Sequence, residues 1–412
     1  MTCSPPFLLI KVLDLRRTQP MTRILIIGAG IGGLTLAHAC LQNGFEVTLF
    51  EKAVSLEPVG AGIQISPNAV KVLKGLDLFD YVSENAFYPE AIETRLGRSG
   101  RQIFSIDLKG KSQRRWGAPY LHIHRADYIA ALSGALPQGV LKLGADVKHI
   151  DQTDTHARVE LSSGETIEGD ILIGADGIHS VVRDYICGEV AADFTGNIAW
   201  RSVVPLEALG GNIPPPTACA WFGPGRHAVT YRLGTNGQFA NFVGVVETDD
   251  WLEEGWSIEG QKGEALEDFD GWDPVITQLI ETSDKLYKWA LFDRPPLSKW
   301  HKGRVALLGD AAHPMLPFLA QGAAMAVEDG WVLSQALKSY PIEKALTLYH
   351  MARLPRTTKV QAASRANMKT FHISGPLSQL STYGPMWIGG RVLPSVIRSR
   401  FDWIYGYNAL SV

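Results

Sequence analysis

Three glycines and one acidic residue near the start of the chain have the spacing of a nucleotide site. Gly28, Gly30 and Gly33 lie between an apolar segment, 24–27, and a helical one, and Glu51 ends the next apolar segment. Such glycines permit a tight turn and a close approach of backbone to a pyrophosphate, and the helix N-terminus attracts its charge. An acid about 20 residues further on can bind ribose hydroxyls and repels a 2′-phosphate. The pattern predicts a site for FAD or NAD rather than NADP.

Two aspartates further along each follow a short apolar segment. Asp176 stands within Gly-Ala-Asp-Gly, and Asp310 comes directly after Gly309. A proline-containing loop then leads to a predicted helix that begins near Gly322 with small residues. The positive end of a helix attracts charge such as that of a reduced flavin, and Asp310 could accept a hydrogen bond from a ribityl hydroxyl. Together the two motifs favour FAD, although Gly-Asp alone would also suit an ordinary capped turn.

One histidine and one tyrosine are candidates for acid–base chemistry. His227 and Tyr231 share a predicted strand, and the period of two places both on the face that Val229 also occupies. A structural role is the alternative, since a lone histidine and tyrosine on a strand are commonly structural.

The elements that must position these residues show two patterns of predicted secondary structure. Apolar segments alternate with helices over much of the chain, whereas residues 185–300 hold seven of the eleven tryptophans and several period-two strands. Segments 218–222, 227–233 and 238–246 are predicted to be antiparallel strands, the last two joined by a turn at 234–237. A single strand is predicted over 141–147, and a polar, arginine-rich stretch at 94–118 is predicted to be an exposed hairpin or loop. The fold class predicted is α/β, with a Rossmann-like domain, an inserted antiparallel sheet and a helical C-terminal tail.

Composition excludes several classes of protein. A net charge of −3 gives no sign of a nucleic-acid surface. Four cysteines without a CxxC pair argue against a disulfide framework or a metal site and indicate a reducing compartment, the cytoplasm. Residues 1–20 match no pattern that follows and are predicted to be an extension, with Met21 as an alternative start. The aromatic tail at 371–412 could touch a membrane surface, but helical packing is the favoured interpretation, and no membrane span is expected.

The segment 303–330, GRVALLGDAAHPMLPFLAQGAAMAVEDG, resembles the Gly-Asp motif of the class A flavoprotein aromatic hydroxylases, the family of para-hydroxybenzoate hydroxylase. Its continuation, Gly-Asp-Ala-Ala-His-Pro and then Ala-Gln-Gly-Ala, is similar to that of the salicylate and 3-hydroxybenzoate branch. The Gly-Ala-Asp-Gly around Asp176 resembles the Asp-Gly motif of the family, and Gly-Pro-x-x-His227 followed by Tyr231 resembles a pattern of the same branch. The resemblance covers nearly all of residues 21–330.

This resemblance implies a FAD-dependent monooxygenase that uses NAD(P)H and O2 to hydroxylate an aromatic acid such as salicylate or a hydroxybenzoate, by way of a flavin C4a-hydroperoxide. It implies that His227 deprotonates a phenol, that Tyr231 assists and that Gln321 faces the substrate. A base of near-neutral pKa suits this step because a phenolate is the better nucleophile. Asp176 would contact the pyrophosphate and help NAD(P)H to bind, Arg125 would be aimed at the flavin, and the backbone of Val147 would meet the adenine.

Further positions are predicted to contact the cofactor, and Gln64 among them stands where 6-hydroxynicotinate hydroxylases of this family have a histidine. That departure argues against a hydroxypyridine substrate. The remaining predicted cofactor-binding residues are Lys52, Pro317, Gly322 and Ala323.

The domain organisation predicted is one FAD-binding domain in three segments with the substrate domain inserted between them. The boundaries are 1–20 for the extension, 21–93 for the first FAD-binding segment, 94–118 for the hairpin or loop, 119–184 for the second segment, 185–299 for the substrate domain, 300–370 for the third segment and 371–412 for the tail.

Two other functions compete with this one. The first is hydroxylation or epoxidation of a larger heteroaromatic, a hydroxypyridine or quinolone-type metabolite, for which His227 would be dispensable. The second is a non-enzymatic binding protein on a flavin fold, of the GDP-dissociation-inhibitor kind, against which the intact glycines, Glu51, Asp176 and Asp310 argue. The partners expected are a small aromatic substrate, NAD(P)H and O2, and the sequence leaves the oligomeric state open, a homodimer included.

Overall fold

A computed structural model describes residues 21–56, 61–189, 191–249 and 258–412. The extension predicted at 1–20 lies outside these residues. Within them the strands are β1 (Arg23–Ile27), β2 (Glu46–Glu51), β3 (Gly62–Ile65), β4 (Ala91–Leu96), β5 (Gln102–Asp107), β6 (Leu121–His124), β7 (Leu141–Leu143), β8 (Val147–Gln152), β9 (Ala157–Leu161), β10 (Thr166–Gly169), β11 (Ile171–Gly174), β12 (Asp193–Pro205), β13 (Ala218–Gly223), β14 (Arg226–Leu233), β15 (Phe239–Glu247), β16 (Ile258–Glu259), β17 (Tyr287–Asp293), β18 (His301–Lys302) and β19 (Val305–Leu307).

The helices of the described residues are α1 (Ile31–Gln42), α2 (Pro67–Gly75), α3 (Phe79–Ser83), α4 (Lys111–Trp116), α5 (Arg125–Gly134), α6 (Val181–Cys187), α7 (Lys262–Asp268), α8 (Pro274–Thr282), α9 (Gly322–Ser339), α10 (Ile342–Phe371), α11 (Pro376–Val392), α12 (Pro394–Ser399) and α13 (Asp402–Tyr405). The α/β fold class predicted from the sequence is confirmed.

A six-stranded sheet in the order β18-β19-β11-β1-β2-β7 forms the centre of the first half of the molecule. Its strands β19, β11, β1, β2 and β7 are parallel, and only β18 pairs antiparallel. The central strands β1 and β11 consist mainly of isoleucine and leucine and are almost wholly buried, as strands covered on both faces must be. Helices α1 and α9 pack closely: a Cβ on Gly330 would lie 2.9 Å from the backbone nitrogen of Leu36.

The single strand predicted over 141–147 is wrong, because this segment contributes to two sheets. β7 joins the parallel sheet, whereas β8 joins a separate three-stranded sheet, β10-β9-β8. Gly144 lies between them with φ of +68°, in the left-handed region that favours glycine, and turns the chain from one sheet to the other.

An eight-stranded sheet in the order β16-β17-β12-β15-β14-β13-β4-β5 forms the second half. The predicted strands near 218–222, 227–233 and 238–246 are present as β13, β14 and β15, paired antiparallel. The stretch at 94–118 does contain a hairpin, β4 and β5, but it is not simply exposed. The hairpin forms the edge of this sheet. Ile103 is buried against the C-terminal helix α11, and Ile106 is buried in a cluster with Trp116 and Tyr405.

The C-terminal part is helical, as predicted. α10 runs along α9, and α11 contacts β5 and α12, so that the tail covers the sheet and the elements next to it. Among the described residues, no helix combines the length and apolar character that crossing a bilayer requires.

Candidate active site

The parallel sheet brings four of the predicted motifs to one edge. Since β19, β11, β1 and β2 are adjacent and parallel, the segments that follow their carboxyl ends lie side by side. The segments after β19, β11 and β1 hold Asp310, Asp176 and the glycine turn, and Glu51 is the last residue of β2. This edge of an open α/β sheet is where such folds bind nucleotides.

The three glycines each have a different reason to be glycine. Gly28 has φ of +101°, and a Cβ there would lie 2.4 Å from the carbonyl oxygen of Ala175. A Cβ on Gly33 would lie 1.9 Å from the carbonyl oxygen of Gly28, so close packing of helix on strand excludes any side chain. A Cβ on Gly30 would meet nothing within 4 Å. Gly30 also begins α1, and no side chain caps this N-terminus. Open space in front of an uncapped helix end is the geometry that a phosphate requires.

Glu51 lies at the end of β2 beside this turn. Its carboxylate accepts hydrogen bonds from the backbone N–H groups of Ala29 at 2.9 Å and Ala53 at 3.0 Å. Lys52 follows it and is exposed. Val147 is buried at the start of β8, just after a loop whose Ala145 N–H donates to the carbonyl of Glu51 at 2.9 Å. The two positions predicted for the adenosine end are therefore neighbours.

Asp176 is fixed by its own turn. Its carboxylate accepts from the Ser180 hydroxyl at 2.6 Å and from the Val182 N–H at 3.2 Å. Burial raises the pKa of this carboxyl, and these hydrogen bonds partly offset the rise. The turn that Asp176 begins, Gly177–His179, lies against the turn that contains Asp310.

The Asp310 side chain is solvent-accessible, and none of the described residues hydrogen-bonds it. Desolvation by the surrounding protein raises the pKa of this carboxyl, while His313 and Arg125 act in the opposite direction. The N-terminus of α9 is close by, since a Cβ on Gly322 would lie 3.9 Å from Asp310 Oδ1. Ala323 occupies the first turn of α9, and no side chain caps this helix end either. Arg125 is exposed at the start of α5.

A recess of 160 Å³ opens at Asp310, with Pro317 and Arg201 among its lining residues. The sequence interpretation did not identify Arg201, although a cation within the apolar strand β12 is a signal that could have found it. Its guanidinium lies 4.3 Å from the centroid of the Trp289 ring, and burial lowers the pKa of Arg201, with Arg125 adding to the effect. A cation held on an aromatic ring beside the predicted flavin position is suited to an anionic partner.

The residues of this edge fit FAD. The uncapped end of α1 with open space at Gly30 could hold the pyrophosphate, Glu51 the ribose, and the free carboxylate of Asp310 a ribityl hydroxyl. The second uncapped helix end, at Gly322, could face the negative charge of a reduced flavin. No cluster of His, Cys, Asp or Glu in the described ranges could hold a metal ion.

A buried charged cluster supports the Asp310 loop from behind. Asp329 accepts from the Gly309 N–H at 3.1 Å, from His313 Nε2 at 2.5 Å and from Arg353 Nε at 2.6 Å. Arg353 also pairs with Glu328 at 2.7 Å. Although burial alone would raise it, His313 and Arg353 hold the pKa of Asp329 below its ordinary value. The end of β19 is thereby joined to α9 and α10.

A larger cavity of 340 Å³ lies between the eight-stranded sheet, the loop 317–320 and the C-terminal helices. Pro317 lines both this cavity and the smaller recess, so the two adjoin at that residue. Next to it, Ala320 has φ of +50°, an uncommon backbone conformation for a residue with a side chain, and such conformations cluster at functional sites. Ligand pockets are typically about 300–1,000 Å³, so the cavity suits a small ligand.

His227 and Tyr231 flank this cavity on β14. Val229, between them on the same face, lines it. His227 is buried just behind the wall, with its ring centroid 5.1 Å from those of the lining residues Phe318 and Phe371. Tyr231 is buried 4.9 Å from the His122 ring, and burial raises the pKa of its hydroxyl, with Arg201 opposing. The structure thus brings both residues to one side of the cavity, four residues apart on one strand.

The two glutamines lie in different places. Gln64 lines the cavity, where its Oε1 accepts from the Tyr120 hydroxyl at 2.7 Å. Gln321 is buried outside the lining: its amide donates to the Ser66 hydroxyl at 3.0 Å and accepts from Asn68 at 3.1 Å. Gln321 therefore connects α2 to the start of α9 and does not face the cavity in this structure.

A nucleotide-binding parallel sheet, joined through Pro317 to a cavity under a second sheet, is the arrangement expected of a flavin-dependent monooxygenase of aromatic compounds. Comparison with known proteins agrees. The chain belongs to the FAD-binding domain family, whose model matches residues 21–364. It is 36% identical over 394 residues to the 3-amino-4-hydroxybenzoate 2-monooxygenase of Streptomyces platensis, covering 95% of this chain and 97% of the relative.

A second relative and a solved structure are similar over most of their lengths. The 6-hydroxynicotinate 3-monooxygenase of Pseudomonas fluorescens is 36% identical over 350 residues, which are 84% of this chain and 91% of the relative. The structure of a salicylate hydroxylase with its substrate superposes with a TM-score of 0.80 at 25% identity, covering 95% of this chain and 97% of the other. The predicted family, FAD as cofactor and a monooxygenase activity are confirmed.

Proposed function

We propose that this protein hydroxylates a small phenolic aromatic acid, with NAD(P)H as the reductant and O2 as the second substrate. The observation that carries the proposal is the placement of His227 and Tyr231 beside a cavity of 340 Å³ that adjoins the FAD site at Pro317. When bound, FAD supplies the reduction of O2 and the transfer of a hydroxyl group to the ring. The protein binds the substrate, excludes water and moves the phenolic proton.

The cavity lining favours an acid with an aromatic ring. Phe222, Val229 and Phe318 offer apolar surface for the ring, and within the described part of the chain Arg400 is the one cation of the lining. A carboxylate oriented toward Arg400 would leave the opposite end of the ring free to approach His227 and the flavin. The relatives named above act, by their names, on an aminohydroxybenzoate and a hydroxynicotinate, which are acids of this size.

In the proposed step His227 accepts the proton of the phenol and leaves a phenolate. With a phenol pKa near 10, only about one part in a thousand is ionised at neutral pH, so a positioned base contributes about 10²–10⁴-fold. Tyr231, whose raised pKa keeps it protonated, can donate a hydrogen bond to the developing charge. Asp176, Arg125 and Val147 belong to the proposed cofactor site, with the residue segments 21–93, 119–184 and 300–370 forming the FAD-binding domain.

A substrate screen tests the proposal. We expect the purified protein to be yellow, and NAD(P)H oxidation to be stimulated by a hydroxybenzoate or aminohydroxybenzoate with formation of one hydroxylated product per NAD(P)H. Hydroxynicotinates form the comparison set, because one relative acts, by its name, on such a compound, whereas Gln64 stands here where the resemblance places a histidine in the 6-hydroxynicotinate hydroxylases. Benzoates without a hydroxyl group are the control and should give no hydroxylated product. Peroxide formation alone with every phenolic acid would contradict the proposed function.

A further inference from the structure

Three side chains form a hydrogen-bonded row from the cavity wall to the surface. His227 Nδ1 lies 2.7 Å from His372 Nε2, and His372 Nδ1 lies 2.8 Å from Glu247 Oε1. The exposed fractions are 1% for His227 and, for the side chains, 3% for His372 and 57% for Glu247. Only the carboxylate therefore contacts bulk solvent. The row runs from the cavity wall to the surface at the ends of strands β14 and β15.

Elements distant in sequence build this row. His227 and Glu247 lie on the paired strands β14 and β15, whereas His372 directly follows α10. The carbonyl oxygen of His372 accepts from the Gly225 N–H at 3.3 Å, which fixes the end of the helix to the turn before β14. Phe318 and Phe371, which line the cavity, pack edge-on against the His227 ring, and His227 is 1% exposed.

The carboxylate determines where the protons of both rings lie. An ionised carboxylate only accepts hydrogen bonds, so His372 Nδ1, 2.8 Å from Glu247 Oε1, carries a proton. In neutral His372 the other nitrogen, Nε2, is then an acceptor, and His227 Nδ1 must donate to it. His227 Nε2 is left with a free lone pair, and none of the described residues hydrogen-bonds it. This is the tautomer that a base acting on a cavity ligand requires.

We propose that His372 and Glu247 form a relay that sets the tautomer of His227 and removes the substrate proton from it. The proposal rests on the proposed function, in which His227 is the base. The phenol O–H bond breaks as a bond to His227 Nε2 forms, and the Nδ1 proton of His227 moves to His372 Nε2. The result is a phenolate, a neutral His227 and an imidazolium at His372 paired with Glu247. Water then takes the proton by way of the Glu247 carboxylate.

The surrounding charges show why a single histidine would be insufficient. Burial, and secondly the neighbouring His372, holds the pKa of His227 well below its ordinary value, so His227 alone would be a weak base. Burial also lowers the pKa of His372, but Glu247 raises it, and Arg226 opposes that effect. Among the residues that the structure describes, His227, Glu247 and Arg226 are the titratable or charged groups that face His372. Moving the proton to the ring next to Glu247 places the positive charge where a carboxylate stabilises it.

Two variants test the relay, Glu247→Gln and His372→Gln, and Glu259→Gln is the matched control because it removes an exposed carboxylate from β16 of the same sheet. The first readout needs no turnover. A chromophoric phenol, 4-hydroxy-3-nitrobenzoate, is bound to the oxidised FAD enzyme, and its phenolate absorbance is followed against pH. We expect both variants to raise the midpoint of ligand ionisation by about one pH unit, a tenfold change, and the control to leave it unchanged.

The second readout is the rate of the hydroxylation step after reduced enzyme with substrate is mixed with O2. We expect a decrease of about 10²-fold at neutral pH in both variants, similar to that in His227→Ala, and partial recovery at high pH where the phenol ionises without help. His372→Ala, which leaves a gap between its two partners, should regain rate with added imidazole. FAD content should remain that of the wild type in all variants. Because Glu247 is at the surface, Glu247→Gln should fold even where a His372 variant does not.

Failure of the relay can be distinguished from failure of the proposed function. A wild-type enzyme that hydroxylates no phenol in the screen contradicts the proposed function and the relay with it. A wild-type enzyme that does so, with a large loss in His227→Ala but an unchanged midpoint and rate in Glu247→Gln and His372→Gln, overturns the relay alone. Lower stability or lower ligand affinity in these variants, without a shift of the ionisation midpoint, also overturns the relay. That result is expected if His372 and Glu247 only hold the structure together.

Discussion

At the carboxyl edge of the parallel sheet, some residues are needed for packing and others leave room for the cofactor. Gly28 and Gly33 are enclosed by neighbouring backbone, so substitutions there would disturb folding as well as binding. Gly30 has the same place in the sequence motif, but the space in front of it is open. It is therefore the position at which cofactor binding can be removed without damage to the fold.

We predict that Gly30→Val gives a folded protein that binds FAD more weakly and purifies with less FAD than the wild type. The valine side chain would occupy the phosphate position at the N-terminus of α1 and raise the dissociation constant of FAD by at least about tenfold, or about 1.4 kcal/mol. Gly134→Ala is the control, because it also faces open space but ends α5. Flavin absorbance and fluorescence titration with FAD provide the measurement. Wild-type FAD affinity in Gly30→Val would refute the placement of the pyrophosphate.

The sequence was informative wherever a residue's role depends on its neighbours along the chain. The glycine turn, Asp176 and Asp310 each follow a strand and Glu51 ends one, and parallel pairing alone brings such positions together. His372 and Arg353 could not be predicted in this way, because each acts through a partner far away in sequence. The period of two in β14 predicted that His227 and Tyr231 share one face of the strand. Nothing in the sequence of that strand indicates that a second histidine, 145 positions further on, contacts His227.

At the level of whole elements, helices α9 and α10 hold the Asp310 loop in place through buried charged side chains. Asp329 of α9 binds the backbone of Gly309, the side chain of His313 and the guanidinium of Arg353 from α10. Helix propensity and hydrophobic period predicted α9 itself, with its start at Gly322. They could not predict that its buried acids are paired, since a pairing of this kind depends on tertiary contacts.

We predict that Asp329→Asn lowers the free energy of unfolding by about 3 kcal/mol. Removing one partner of a buried pair costs about 3–5 kcal/mol, and Glu328 still contacts Arg353, which places the expected cost at the lower end. Glu264→Gln, which breaks an exposed pair with Lys288, is the control and should cost less than about 1 kcal/mol. Urea denaturation at neutral pH measures both values.

The same variant has a defined pH dependence. Because the pKa of Asp329 is lowered in the folded state, its charge contributes stability that is fully present above the unfolded value, about 3.9, and is lost as pH falls through the folded value. The difference between wild type and Asp329→Asn should thus be constant from about pH 5 upward and shrink below about pH 4. A difference that stayed the same down to acid unfolding would show that the charge of Asp329 is not responsible.

On the scale of the whole molecule, the cavity is completed by the C-terminal tail. The parallel sheet binds the cofactor and the eight-stranded sheet supplies His227 and Tyr231, but Phe371, Arg400 and Tyr405 close the remaining side. The sequence predicted that the tail is helical and packed. It did not predict that the tail forms a wall of the cavity, because the contacts that fix it are made to residues distant in sequence, among them β5, the segment 108–120, Lys71 and Arg356.

The tail is fastened at Asp402, the first residue of α13. Its carboxylate accepts from Arg115 Nε at 2.7 Å and from Trp116 Nε1 at 2.8 Å, and Arg115 holds the pKa of this carboxyl below its ordinary value. Tyr405, one turn further on, packs edge-on against Trp116 at 5.0 Å and against Tyr120 at 5.7 Å. Lys71 and Arg356 also donate to backbone carbonyls of this segment, at 3.1 Å to Tyr405 and 3.1 Å to Trp403. Since α13 is only four residues long, its position depends on all of these contacts more than on its own hydrogen bonds.

We therefore predict that Asp402→Ala loosens the cavity wall with little effect on folding. Exposed ion pairs contribute about 0.2–1 kcal/mol, so the free energy of unfolding should fall by no more than about 1–2 kcal/mol with the Trp116 hydrogen bond included. The dissociation constant of the phenolic substrate should rise about 2- to 10-fold, and more NAD(P)H should be lost as hydrogen peroxide because water enters the site. Asp107→Asn, which breaks an exposed pair with Lys111 of the same helix α4 without contacting the tail, is the control. Product yield per NAD(P)H equal to that of wild type in Asp402→Ala would mean that the tail does not seal the site in which hydroxylation occurs.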